Sequence, residues 1–189
     1  LSARSPDDAT LVLRTLNGDR EAFGELVTRY QRPLYRHALG LGLDHDTAVD
    51  LVQDACVKAW SRLAECRDPA AFRAWLFRIL RNLCLDHHKD RRRQSVPLST
   101  MPEAVEIADP GTLGDGVTRL ALRAALHAVP PMLREAFLLK HDAGYSYDEI
   151  AAIMDATPSA VKMRVHRARE LLREHLDAAD AAGGPLVAW

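Results

Sequence analysis

At 189 residues and 21.0 kDa, the chain is long enough for one medium domain or two small ones. It is 48% hydrophobic, 27% charged and 6% aromatic, a composition that excludes collagen-like, mucin-like and wholly disordered chains. With 25 Lys and Arg against 26 Asp and Glu the net charge is −1, so total charge points to no partner and only its distribution is informative. No apolar run approaches the roughly 20 residues that span a bilayer. Leu1 to Thr10 lacks the basic-then-apolar layout of a signal peptide, and the expected location is cytoplasmic. Cys56, Cys66 and Cys84 are odd in number and show no C-x-x-C spacing, which predicts reduced, mostly packed thiols and no zinc site. No metal or cofactor is expected.

Helical period dominates and no strand alternation is evident, so the predicted fold class is all-α. The expectation is two small helical domains joined by a flexible acidic linker, the second domain containing a helix-turn-helix. Phe23, Leu26, Val27, Tyr30 and Leu34 mark one apolar face, with Asp19 as its N-cap and Pro33 expected to kink or interrupt the helix. Asp46 is read as the next N-cap, ahead of a stripe of Ala48, Leu51, Val52, Ala55, Ala59 and Leu63. A third helix opens with Asp68-Pro69 and carries Phe72, Trp75, Leu76, Ile79, Leu80, Leu83 and Cys84 on its apolar face. These faces can bury one another in a domain over residues 7–93.

Residues 94–116 read as the linker, with prolines, glycines and the acids Glu103, Glu106, Asp109 and Asp115 but no Lys or Arg. The second domain, 117–177, has helices over Val117 to Ala128 and Met132 to about Lys140, then an Asp142-Ala143-Gly144 turn. Ser146 and Glu149 form a capping box for a short helix from Tyr147 to Met154. Asp155 to Thr157 turn the chain, Thr157 caps, Pro158 takes the first helical position, and Val161, Val165, Ala168, Leu172 and Leu176 form the buried stripe. Two helices, a tight turn and a basic second helix predict a DNA-binding helix-turn-helix. Its outward face offers Ser159, Lys162, Met163, His166 and Arg167 to a groove, with Arg164 placed for phosphates or neighbouring acids. Residues 178–189 are read as a frayed tail.

Charge comes in blocks. Asp44 to Asp54 holds four acids and no Lys or Arg. The face bearing Asp50, Gln53, Asp54, Val57 and Lys58 therefore suits a basic protein partner, with Val57 as its apolar anchor. Arg73 to Arg93 holds seven bases against Asp86 and Asp90. Trp75 and Phe77 stand among Arg73, Arg78 and Arg81, an arrangement suited to unpaired bases, although the helical spacing of Trp75 fits a core position better.

Taken together, these segments resemble a sigma factor of bacterial RNA polymerase of the small two-domain extracytoplasmic-function (ECF) type, over about residues 8–176. Asp50-Leu51-Val52-Gln53-Asp54 with Lys58-Ala59-Trp60 is similar to that family's core-polymerase-binding helix. Phe72-Arg73-Ala74-Trp75-Leu76-Phe77-Arg78-Ile79 with Asn82 and Asp86 is similar to its helix for the −10 element. Tyr147-Asp148-Glu149-Ile150-Ala151 with Val161-Lys162-Met163-Arg164-Val165-His166-Arg167-Ala168-Arg169 is similar to its helix-turn-helix for the −35 element.

The resemblance implies a non-enzymatic initiation factor whose partners are core RNA polymerase (the beta-prime clamp and beta subunits), promoter DNA and an anti-sigma factor. It implies that Gln53 and Asp54 meet the beta-prime clamp helices, and that the Arg62 to Asp68 loop with the following helix holds an unpaired promoter base. Arg62, Arg73, Arg78, Arg81, Asn82, Lys89, Arg91 and Arg92 become the residues expected at the −10 element. Met163 stands where the family commonly has a small hydroxyl residue, Ala160 where threonine is common, and Asp155 replaces the usual turn glycine.

Two other readings compete. A stand-alone repressor or activator would share the helix-turn-helix but normally dimerises, and no sustained heptad seam is present. A metal-dependent phosphoesterase would use Asp86-His87-His88, yet three consecutive residues on one helix point in divergent directions.

Overall fold

Asp7 opens the first helix, α1 (Asp8–Leu16), by accepting a hydrogen bond from the Thr10 amide at 2.8 Å. This helix was not anticipated. Leu11, Val12 and Thr15 are its buried residues, too short a run to announce a face. Asp8 ties it to the second helix through ion pairing with Arg29 and a hydrogen bond from the Tyr30 hydroxyl. The computed structural model describes residues 6–94, 122 and 124–183, and the chain divides into two compact units, each taken here by itself.

In the first unit, Asp19 caps α2 (Arg20–Gly40) through the Ala22 amide at 3.2 Å. The helix runs unbroken through Pro33, so of the expected kink or interruption the interruption does not occur. Proline removes one ladder hydrogen bond. Burial of Leu26, Tyr30, Leu34 and Ala38 on both sides of it supplies several times that loss, at about 1.5–3 kcal/mol for each large apolar side chain.

The N-cap of α3 (His45–Ser61) is Asp44, not Asp46: its carboxylate accepts from the Thr47 amide and hydroxyl, both at 2.9 Å. Those bonds hold the Asp44 carboxyl below the usual range. Asp46 sits in the first turn, where a negative charge faces the positive end of the helix dipole. Asp68 caps a 3₁₀ turn, Pro69–Ala71, which feeds α4 (Phe72–Gln94). Leu11, Leu26, Leu34, Phe72, Phe77 and Leu80 are fully buried, with the Tyr30 and Phe72 rings 5.9 Å apart. Cys66 and Cys84 are buried and Cys56 is half-buried, none of them in a disulfide.

In the second unit, helical residues 124–128 precede α5 (Pro131–His141), α6 (Tyr147–Met154) and α7 (Pro158–Gly183). Gly144 takes φ +71°, a left-handed turn open to glycine at no steric cost. Leu139, Tyr145, Ile150, Ile153, Val161 and Val165 are buried, and Ala125, Val129, Ala168 and Leu172 form a further cluster. The helix from Pro158 extends to Gly183 and so takes in residues read as tail. The Asp177-Ala178-Ala179-Asp180-Ala181-Ala182 stretch is alanine-rich and can extend a helix without a buried stripe. The linker beyond Gln94, residues 117–121, and 184–189 lie outside the described residues. No strand occurs among the described residues, and no described helix is long and apolar enough to cross a membrane.

Candidate nucleic-acid interface

Three surfaces carry the residues singled out by sequence. The first is the outer side of α3. Ala48, Val52, Ala55 and Ala59 turn inward, which leaves Asp50, Gln53, Asp54, Val57 and Lys58 exposed as expected, Val57 at 60%. Trp60, which belongs to the Lys58-Ala59-Trp60 motif, and Val49, which no motif singles out, are 43% and 44% exposed and share this side with Gln53 and Val57. Val49 lies four residues before Gln53 and Trp60 three after Val57, a helical spacing that puts all four on one side. The Trp60 ring packs edge-on against Phe23 at 5.0 Å, so it is fixed in position while still presenting one side to solvent. At this end of α3 a recess of about 220 Å³ is lined by Thr15, Leu16, Trp60, Ser61, Leu63 and Ala64. An exposed apolar strip edged by carboxylates can seat a partner that brings both apolar side chains and cations.

The second surface runs from the loop after α3 along α4. Arg62 is exposed and bound to Glu65 by a two-pronged contact, its shortest distance 2.8 Å. A phosphate would have to displace that carboxylate, at little cost for an exposed pair. At about 100° per residue, Arg78, Asn82 and Lys89 fall on one side of α4. All three are exposed. Lys89 lies 3.1 Å from Asp86. Arg73 and Arg91 fall about 140° round the helix from Arg78 and are not gathered into that row. Arg92 lies on the helix, but its side chain is outside the described residues.

Two sequence expectations are corrected here. Phe77 is 0% exposed, its ring 5.4 Å from that of His37, so it is a core residue with no face for a base. Arg81 is only 9% exposed and belongs to the same interior, which leaves it little surface to offer a phosphate. It acts electrostatically on His37, whose pKa is pushed down to about 4, mainly by burial and further by the Arg81 charge. Trp75 is half-buried at 5.9 Å from Phe72, which agrees with its reading as a core position at the rim. Asp86 and His88 are distributed round one helix, and no group of three potential metal ligands occurs among the described residues.

The third surface is the helix-turn-helix. Ser146 accepts from the Glu149 amide at 3.2 Å while Glu149 accepts from the Ser146 amide at 2.8 Å, the capping box in full. Asp155 adopts φ 50°, ψ 57°, the left-handed turn conformation expected at this position. Thr157 caps α7 through the Ala160 amide at 3.2 Å. The stripe of Val161, Val165, Ala168 and Leu172 faces inward, so Ser159, Lys162, Met163, His166 and Arg167 face out and are exposed. Arg164 is set apart from that row: it is half-buried, with one guanidinium nitrogen shielded from water. Glu170 lies 3.1 Å from Arg167 and 3.5 Å from His166, marking where the cationic part of the face ends. Arg169 reaches His141 at 3.3 Å and so braces α7 against α5. Burial, then the Arg169 charge, holds His141 below its ordinary pKa.

Residues 26–94 match the family described as Sigma-70 region 2, and residues 119–172 match Sigma-70, region 4. The ECF RNA polymerase sigma-E factor of Haemophilus influenzae is 30% identical over 181 residues, which cover 89% of this chain and 95% of that protein. A probable RNA polymerase sigma factor of Xanthomonas campestris is 33% identical over 167 residues, 84% of this chain but 41% of that protein. Among solved structures, the sigma factor RpoE of Bartonella quintana, in complex with the anti-sigma factor NepR, is similar with a TM-score of 0.71. It is 32% identical, over 82% of this chain and 96% of that one.

Proposed function

The chain belongs to the ECF sigma factors of RNA polymerase, and from that membership we propose how its three surfaces divide the work of initiation. The protein is an alternative sigma factor that directs transcription initiation. The outer side of α3, with Asp50, Gln53, Asp54, Val57 and Lys58, docks on the clamp of core polymerase. Val49 and Trp60 extend the apolar part of that contact. Arg62, Arg78, Asn82 and Lys89 engage the −10 element and its unpaired bases. Ser159, Lys162, Met163, His166 and Arg167 read the −35 duplex from the helix-turn-helix.

What carries this reading is the sorting of surface character: an apolar strip edged with acids on α3, against outward cations on α4 and α7. DNA repels the first surface and attracts the other two, so one side of the first unit is left for a protein. An inhibitor of the anti-sigma class, such as accompanies the Bartonella quintana relative, would act by covering these same surfaces. On this reading the protein acts in the cytoplasm, where polymerase meets promoter DNA.

The test is transcription of genomic DNA by core polymerase with no added factor, with this protein, and with its Asp54→Arg variant. New start sites should appear with the native protein and disappear with the variant, which should also fail to co-elute with core polymerase while keeping its helicity. Unchanged co-elution of Asp54→Arg would overturn the docking assignment.

A further inference from the structure

Met163 is the most exposed of the large hydrophobic residues described, at 72%, and its position on α7 is specific. At about 100° per residue it lies opposite the mean direction of Val161, Val165 and Leu172, so its side chain points straight away from the core. Ser159 lies one turn before it and His166 and Arg167 one turn after, which puts Met163 in the middle of the outward row. A helix laid in a major groove with this row downward would bring Met163 to the groove floor before any of its flanking residues.

A thioether differs from its neighbours in what it can recognise. It has no hydrogen to donate, and sulfur is a weak acceptor. It therefore discriminates poorly among the donor and acceptor patterns of base edges. The apolar group on the major-groove floor is the C5-methyl of thymine. Met is also long and flexible enough to reach it without a fixed backbone approach. Lys162 and Arg167 beside it supply contacts to purine acceptors or phosphates, and Glu170 closes the row by holding Arg167 and His166.

We propose that Met163 is a specificity-determining residue of the upstream promoter element, selecting thymine through van der Waals contact with its C5-methyl group. The proposal rests on the reading of α7 as the −35 recognition helix and adds the base chemistry that this chain selects there.

The test uses holoenzyme reconstituted from core polymerase and the full chain, on a promoter library randomised through the upstream element. Wild-type holoenzyme should enrich a motif containing thymine at a position where Met163→Ala shows no preference. Within the enriched duplex, replacing that thymine by deoxyuridine removes one methyl group and nothing else. The loss for wild type should be about four-fold in affinity, the worth of one methyl leaving an apolar contact, with less than about 1.5-fold for Met163→Ala. Cytosine at that position should bind more tightly when converted to 5-methylcytosine, again only with Met163 present.

Because Met163 touches solvent rather than core, the alanine variant should melt with the wild type. A library that yields no upstream motif would overturn the parent reading of α7. A clear motif whose thymines tolerate deoxyuridine, or lose equally with both proteins, would overturn the role of Met163 and leave the parent reading standing.

Discussion

Replacing Phe77 by alanine separates the core role of this ring from the base-stacking role that its arginine neighbours suggest. The side chain is 0% exposed and packs 5.4 Å from His37, on a helix that also packs against α1 and α3. Truncation of such a ring costs about 3–5 kcal/mol, the transfer energy plus the cavity left behind. In a unit of this size each kcal/mol moves the midpoint by about 4–8 °C, so the transition should fall by at least about 12 °C. The chain has three tryptophans, and Trp60 and Trp75 both lie in the first unit, so fluorescence of a Trp189→Phe background reports that unit selectively. Phe77→Leu, which refills most of the space, should recover most of the midpoint and leave promoter opening intact. A Phe77→Ala protein that melts within about 3 °C of wild type yet fails to open promoters would show that the ring faces DNA, and would refute its burial.

Further expectations concern single residues. At Asp155, glycine relieves the left-handed strain but adds freedom to the unfolded chain, so Asp155→Gly should change stability by no more than about 0.5 kcal/mol. Asp155→Val should lose about 1–2 kcal/mol, measured by hydrogen exchange in α6 and α7; a harmless valine would contradict the φ of 50°. His37 has a folded pKa near 4 against the ordinary 6.5, so the unfolded chain binds its proton more readily between those values. The stability from burying the neutral ring is complete above about pH 6.5 and is lost as pH falls toward 4. His37→Phe should flatten that part of the pH–stability curve, and an unchanged slope would place the dependence elsewhere. On a −35 duplex, Lys162→Ala should weaken holoenzyme binding about 5- to 150-fold, and alanine at Arg173, exposed on α7 beyond the outward row, much less. Equal losses would indicate charge attraction without readout.

The helix-turn-helix was legible in the sequence because its signals are local: a capping box, a residue tolerant of the left-handed turn, and a threonine cap before Pro158. Each involves atoms within three or four residues of one another, and tertiary packing has little power to override them. The misreadings arose where the outcome is decided by other helices. Phe77 and Arg81 lie off the main stripe of α4, and a helix covered from several sides buries a wider arc than one stripe. Asp44 and Asp46 are equivalent as caps in composition, and only the geometry of the Thr47 amide chooses between them. Helix α1 gains its place through Asp8 and its contacts with Arg29 and Tyr30, more than 20 residues away. Among the proposed site residues, outward direction followed from periodicity for α3 and α7, where one face is buried. Glu170 as the shared partner of Arg167 and His166 did not, because the partner choice depends on rotamers.

We propose that capture of unpaired bases by the first unit, at Arg62 and along α4, lets core polymerase open a promoter without an ATP-driven activator. Permanganate footprinting of a responsive promoter tests it most directly. Reactive thymines near the start site should appear only when core polymerase and this protein are both present, without ATP hydrolysis or an activator, and should vanish with Asp54→Arg. Reactive thymines with the protein alone, or none with the reconstituted holoenzyme on a promoter that it transcribes, would contradict the account.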